Sequence, residues 1–296
     1  MSGWKEHIDE LQNTFFGRVV ILSAGHTMAQ LMPILLTPVI TRLYTSSQLG
    51  DFALFVAAVN IITQFACLKY DFAITVAPND DTAWQLLLLS VVFSVAFSAL
   101  MLLLFPFYPS LLKLIGTENG VWLYLIPVGS LITATEISMV NYNIYAGRYN
   151  RVSKGNIIRG AVYCVAQIGL YNFGVAGLIV SQMVSNAVTI VYLAVGSKLG
   201  NIDKTMLKQI AFEYRAYPKY MVVGAVAGAA NSNLQSFFIS AFYGSTQTGY
   251  YAVVNRLLGT PLTVLSTAIG QVFLKQSAVE MQQKGKVTSA KKLTLW

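Results

Sequence analysis

The sequence predicts an all-α, polytopic membrane protein of about eight transmembrane helices, and three observations predict it. Apolar residues make up 55% of the 296 positions and charged residues only 11%, against roughly 25% in a soluble domain. The charges are clustered, so that 82–108 and 161–197 carry none, and an uncharged apolar run longer than about 18 residues reads as a membrane span. Finally, ITRLYTSSQLGDFA at 40–53 returns as ISAFYGSTQTGYYA at 239–252 with no gap. Ile40, Tyr44, Ser46, Gln48, Gly50 and Ala53 match Ile239, Tyr243, Ser245, Gln247, Gly249 and Ala252 in one register. A repeat this distant is a duplicated half of a larger architecture, too long for a solenoid unit.

Taken in order, the spans fall near 18–43, 51–77, 83–105, 121–146, 155–173, 175–196, 219–242 and 250–273. The divide between the fifth and sixth needs a tight turn at Asn172 and Gly174. The seventh helix repeats the first, so the repeated stretch is the turn that follows each. Ahead of the first span, 1–17 places Trp4, Ile8, Leu11 and Phe15 at helical spacing opposite Lys5, Glu6, Asp9 and Glu10, the pattern of an interfacial amphipathic segment. The first span is too long for a signal-peptide core and lacks a small-residue cleavage site.

Basic residues near span ends stay in the cytoplasm. With both termini cytoplasmic, all of the 20 Lys and Arg except Arg42, Lys113 and Arg256 fall on the inner side. Topology therefore accounts for the net charge of +8, and no nucleic-acid partner is expected. Cys67 and Cys164 lie in apolar spans and support neither a disulfide framework nor a metal site. No nucleophile elbow, phosphate-binding glycine loop or metal-spaced His/Cys cluster is present, so no catalytic residue, metal or cofactor is expected. The lone His26 reads as a satisfied polar group between helices.

What remains are polar groups inside spans, which are costly there and functional candidates by default. Glu136 lies midway or deeper in the fourth span, where it either pairs with a cation of the inner half or serves transport. Lys69 and Asp71 sit in the inner third of the second span, two apart and so facing different neighbours, either as helix-end ion pairs or as transport groups. Arg42 and Arg256 lie on the outer half against the charge bias. Snorkelling can rescue Arg42, whereas Arg256, roughly 10 Å deep at about 1.5 Å per residue, wants an anion or a wet cavity. Arg18 and Arg159 mark the cytoplasmic mouth. Gln30, Asn60, Gln64, Asn141, Gln167, Gln182, Asn186, Asn231 and Gln235 add amides, with Asn231 and Gln235 sharing a helix face. Some amides join helices, and their number suits a wet, sugar-compatible cavity.

PVITRLYTSSQLGDFALF (38–55), KYDFAI (69–74), YPKY (217–220) and TGYYAVVNRLLGTPLTVLSTAIGQVFL (248–274) resemble the Wzx-type oligosaccharide flippases, exporters of O-antigen and other polysaccharides within the multidrug/oligosaccharidyl-lipid/polysaccharide superfamily. The resemblance covers nearly the whole chain. It implies two six-helix bundles around a central cavity, and polyprenyl-diphosphate-linked oligosaccharide moved across the bacterial inner membrane. Lipid-linked oligosaccharide and membrane lipids are then the partners, with polysaccharide polymerase machinery or a second copy as further ones. In that frame 18–197 is the first bundle, 198–218 a cytoplasmic linker, 219–274 the first two helices of a second bundle and 275–296 a polar cytoplasmic tail.

Family members carry twelve or more spans, so a chain with eight is expected to be C-terminally truncated. Gly50 and Gly249 are expected to let the repeated turn close, and Tyr44 and Tyr243 to anchor at the membrane interface. Pro33, Pro38, Pro127 and Pro261 are candidate bending points. Diphosphate and sugars would enter past Arg18 and Arg159 and be held outward by Arg42 and Arg256. A cation-coupled exporter of the same superfamily would carry an acidic residue in its first helix, which this span lacks. A membrane polymerase or ligase would need longer outer loops, and an inactive remnant is the remaining alternative.

Overall fold

The computed structural model of the protein describes residues 15–103, 120–195, 197, 200, 204–259 and 262. Every regular element among them is helical. The α-helices are α1 (Phe15–Leu43), α2 (Ser46–Ala66), α3 (Tyr70–Ile74), α4 (Asp80–Leu103), α5 (Ile126–Tyr145), α6 (Tyr149–Gly169), α7 (Val175–Ala194), α8 (Lys204–Glu213), α9 (Val222–Tyr243) and α10 (Ser245–Val254). Contacts divide the chain into a large unit, Met1–Val253, and a small one, Val254–Trp296. Of the small unit, the wide turn Asn255–Gly259 is described. The amphipathic 1–14, the 104–119 connection and the polar tail lie outside the described residues.

Among the described residues, four helices are long and apolar enough to cross a membrane: Ser46–Ala66, Asp80–Leu103, Trp122–Tyr145 and Val175–Ala194. This is fewer than the expected eight. The expected eighth span, 250–273, lies mostly outside the described residues, and polar residues lower the apolar signal of α6 and α9. Three cations, Arg151, Lys154 and Arg159, interrupt α6, and Asn231, Asn233 and Gln235 cluster within α9.

Local chemistry explains most boundaries. Thr45 caps α2 with a capping box: Gln48 N–H donates to its Oγ1 at 3.3 Å, and Thr45 N–H donates back to Gln48 Oε1 at 3.0 Å. Between α6 and α7 the chain turns through Tyr171–Phe173 and Gly174, whose φ of 56° suits glycine. Pro33 and Pro38 both lie inside α1, where each removes one backbone donor.

Three expectations need correction. The second span is not one helix: it starts at Ser46 and breaks at Leu68 and Lys69, whose φ values are 46° and 61°, before α3 resumes. Gly50 and Gly249 do not close turns. They lie inside α2 and α10, and the turn positions are Tyr44–Thr45 and Gly244, the latter with φ 83°. Tyr44 is no interface anchor either, being 3% exposed with its hydroxyl donating to the Gln167 carbonyl at 2.7 Å, while Tyr243 is exposed.

In the large unit α1 packs along α6, α6 along α7, α4 along α5, and α2 between α5 and α9. Small residues set the α1–α6 spacing. A Cβ on Gly160 would lie 2.9 Å from the Ala29 carbonyl oxygen, and one on Gly25 would lie 2.2 Å from Ser153 Oγ. Pro33 cannot donate to that Ala29 carbonyl, so the close approach occurs where the helix ladder is already open. One apolar cluster, including Ile40, Phe52, Phe55, Trp122 and Leu178, fills the Tyr44 end. Another, with Tyr70, Ile74, Trp84, Leu87 and Tyr142, fills the opposite end. Buried hydroxyls occupy the level between them, with Ser90 and Ser138 bonded at 2.8 Å.

Candidate functional site

The charged centre sits between the two apolar clusters. Glu136 and Arg159 occupy the middles of α5 and α6, and Arg159 Nη1 donates to Glu136 Oε1 at 3.0 Å. The carboxylate is almost fully buried, with 5% of its side chain exposed, whereas the guanidinium keeps 26%. Arg159 thus keeps part of its side chain exposed while its counter-ion is buried. Charges this far from a helix end are costly to desolvate, which makes the pair a functional candidate, while its ion pair is also the structural pairing of Glu136 with a cation that the sequence left open. The close α1–α6 packing brings His26 within Coulombic reach of Arg159, and His26 and Gln30 side chains meet at 2.5 Å.

A neutral cleft lies between α2, α5 and α7, lined by neither Glu136 nor Arg159. Thr133 lies three residues before Glu136 and therefore on the same side of α5. Its Oγ1 accepts from Asn186 Nδ2 at 3.3 Å, and Asn186 Oδ1 accepts from Gln182 Nε2 at 3.3 Å. Asn60 on α2 donates to Asn233 Oδ1 on α9 at 3.3 Å. Phe55, Val56, Val59, Gly129 and Met183 complete a small cleft of about 40 Å³. Gly129 is needed here, since a Cβ would meet Phe55 Cζ at 2.7 Å and Val59 Cγ2 at 3.2 Å.

The remaining candidates are dispersed. Lys69 Nζ donates to Gln64 Oε1 at 2.6 Å, and Asp71 is 4% exposed with Oδ1 lacking a hydrogen-bond partner. The two therefore look to different neighbours, while Asn141 Nδ2 holds the Asp71 carbonyl at 3.0 Å. Arg42 is exposed in the last turn of α1. Asn231 and Gln235 are exposed on α9, where Gln235 accepts from the Tyr251 hydroxyl. Arg256 belongs to the small unit, half-buried in the turn Asn255–Gly259. Arg18 lies on the α1 backbone, with its side chain outside the described part. Among the described residues no three His, Cys, Asp or Glu side chains converge as metal ligands would.

The sequence profile of the family described as "Polysaccharide biosynthesis protein" matches residues 39–294. The chain belongs to the polysaccharide biosynthesis protein family. No curated protein matches this member. Its fold is that of membrane transporters of the MOP superfamily. An inward-facing multidrug resistance MATE family transporter of that superfamily superposes with TM-score 0.54 and 15% identity, covering 90% of this chain and 63% of its own. The outward-facing form of a multidrug resistance MATE family transporter gives 0.51 and 14%, covering 95% and 75%. A MOP superfamily transporter from Pyrococcus furiosus, described as having a binding pocket of reversed polarity, gives 0.51 and 15%, covering 93% and 73%. The polysaccharide biosynthesis protein thus spans 63% of the length of the first of these structures.

Within this polysaccharide biosynthesis protein, the fold pairs Glu136 with Arg159, Lys69 with Gln64, Asn141 with the Asp71 carbonyl and Gln182 with Asn186. It also uses residues that sequence reading passed over. Asp51, 3% exposed, accepts from Ser245 Oγ at 2.7 Å, linking the two repeats directly. Its signal was available as a carboxylate inside the repeated stretch, opposite Tyr250 in the second copy. Thr133 and Asn233 gave no such signal, because a threonine and one more amide in apolar helices are ordinary.

Proposed function

We propose that this protein moves a polyprenyl-diphosphate-linked oligosaccharide repeat unit across the bacterial inner membrane by alternating access, with both termini cytoplasmic. The observation that carries the reading is the Glu136–Arg159 pair at the middles of α5 and α6, with the carboxylate buried and the Arg159 side chain partly exposed. A guanidinium so placed offers its free donors to a phosphate in bidentate geometry. Glu136 serves as the resident counter-ion of the empty state, so the cavity avoids an unpaired buried charge. The arriving diphosphate competes with Glu136 for Arg159, and its departure restores the pair, which makes binding reversible. The polyprenyl tail stays in lipid throughout. The protein makes and breaks no covalent bond in this scheme, and it meets polymerase machinery only through its product.

Membership of the polysaccharide biosynthesis family and a transporter fold support this reading. The test is complementation of a strain deleted for its flippase, read as surface polysaccharide by blotting. Restoration by the wild-type chain and loss with Arg159→Ala, at equal membrane abundance, is the expected result. Wild-type restoration that Arg159→Ala leaves intact would remove Arg159 from the mechanism. No restoration by the wild-type chain, present in the membrane, would overturn the transport reading for this 296-residue chain.

A further inference from the structure

The connection between the two repeats carries a surface that the transport cavity leaves unused. Helix α8 and the wide helical turn Tyr217–Met221 that follows it have two faces of different chemistry. One face is docked. Ile210, 3% exposed, joins the apolar cluster of Tyr70, Trp84 and Leu87, with Met206, Tyr214 and Tyr217 packed against it, and the Tyr70 hydroxyl donates to the Ala211 carbonyl at 3.1 Å. The other face is basic and aromatic. Lys208 and Phe212 lie four apart in α8 and so share a side that Ile210 does not. Arg215 lays its guanidinium over the Phe212 ring, with Cζ 4.1 Å from the centroid. Lys219 N–H donates to the Arg215 carbonyl at 3.3 Å, which sets Lys219 one turn further along the same side, and its Nζ stands 5.1 Å from the centre of the Tyr220 ring. All five side chains are exposed, Phe212 by 66% and Tyr220 by 68%. Glu213 is the only carboxylate in 204–221, and it lies about 100° round the helix from Phe212.

The level of this face follows from what α8 packs on. Its neighbour α4 is long and apolar enough to cross the membrane, and the cluster that α8 joins takes its α4 residues from Ala83 to Leu89, within three turns of the Asp80 end. The helix therefore lies beside the first turns of a spanning helix, where hydrocarbon gives way to headgroups. Three exposed cations and two exposed rings at that level match an anionic bilayer surface twice over, the cations through lipid phosphates and the rings through the interfacial layer. We infer that this face of α8 and its following turn binds the anionic phospholipid headgroups of the leaflet it adjoins. Because α9 begins at Val222, three residues after Lys219, the same contact sets the level at which α9 starts. The inference needs a chain that crosses the membrane and is independent of the transport reading.

The test uses the full chain in phosphatidylcholine nanodiscs, with Cys67→Ala and Cys164→Ala and a fluorophore on Gln209→Cys beside the stripe. Quenching is measured with phosphatidylglycerol or phosphatidylcholine brominated near the headgroup, each at the same low mole fraction. A cation close to the bilayer surface favours an anionic headgroup by about fivefold, so phosphatidylglycerol is expected to quench about fivefold more strongly than phosphatidylcholine. Brominated phosphatidylserine matches phosphatidylglycerol, and salt at about 1 M, where the Debye length is about 3 Å, removes most of the difference. The triple variant Lys208→Gln, Arg215→Gln, Lys219→Gln makes the two lipids equal, whereas Lys208→Arg with Lys219→Arg keeps the preference. Thermal unfolding shows that each variant is folded. Equal quenching in the wild type, a preference that the triple variant retains, or one that millimolar inorganic phosphate abolishes overturns the inference. So does the absence of quenching by every brominated lipid, which would set this face against water or another protein.

Discussion

Gly50 and Gly249 pack backbone to backbone where α2 crosses α10, and the contact is reciprocal. A Cβ on Gly50 would fall 1.8 Å from the Ser245 carbonyl oxygen, and a Cβ on Gly249 would fall 1.8 Å from the Ser46 carbonyl oxygen. Ser46 and Ser245, like the two glycines, are partners in the sequence repeat. Residues matched in register are therefore residues that touch, as in an isologous two-fold contact. Asp51 breaks the symmetry, since its bond from Ser245 has Tyr250 in the equivalent place of the other copy.

A side chain at either glycine cannot be absorbed by rotamer change, because the opposing atoms are backbone. Gly249→Val is expected to force α2 and α10 apart at a cost of at least about 1–3 kcal/mol. A lower thermal unfolding temperature in detergent, with faster thiol labelling of an added Ser245→Cys than in the Gly249 parent, is the expected pair of readings. Unchanged values for both would show that the crossing is not held shut by this contact.

The ion pair predicts a non-additive cycle. Arg159→Leu strands a buried carboxylate and Glu136→Leu strands a guanidinium, each destabilising by about 3–5 kcal/mol, while the double variant recovers most of that loss. Unfolding in detergent measures the cycle. Additive losses would mean that the two charges are independently solvated.

Tyr44 tests the corrected reading of the repeat. Tyr44→Phe keeps the ring within its core cluster and removes only the bond to the Gln167 carbonyl, so a loss of about 0.5–1.5 kcal/mol is expected. Tyr243→Phe, at an exposed position, is expected to be neutral under the same measurement.

The break between α2 and α3 places a non-glycine residue in left-handed backbone at Lys69. Lys69→Gly relieves roughly 1–2 kcal/mol of that conformational cost while losing the bond to Gln64. Lys69→Val, a β-branched residue at the same φ, is expected to be clearly worse than Lys69→Gly by thermal unfolding. Equal stability of the two would show that the segment relaxes out of the left-handed region.

Hydropathy carried the all-helical membrane class, and the two-copy motif carried the repeat. These depend on local composition and on register, which a linear chain displays directly. The Asn172–Gly174 turn was legible for the same reason, since glycine and asparagine act on their own backbone. The second helix was misread because nothing local announces that Leu68 and Lys69 leave the right-handed region; packing around Tyr70 and Asp71 decides it. Gly50 and Gly249 read as turn residues because glycine serves both tight turns and close helix crossings, and only the folded chain shows which.

The site divides along the same line. Sequence could name Glu136 as a costly group in a membrane, because that cost belongs to the residue alone, but it set Arg159 at the cytoplasmic mouth, whereas α6 carries it at its middle. Sequence could not pair the two, nor set Thr133, Gln182 and Asn186 around one cleft, because these residues lie on different helices. Their meeting is decided by helix packing, through small residues such as Gly160 against Ala29 and Gly129 against Phe55. Composition determined by itself that this chain is a membrane helical protein built on a repeat. The tertiary structure alone decided which polar groups face one another, because that depends on distances between helices that a one-dimensional pattern does not contain.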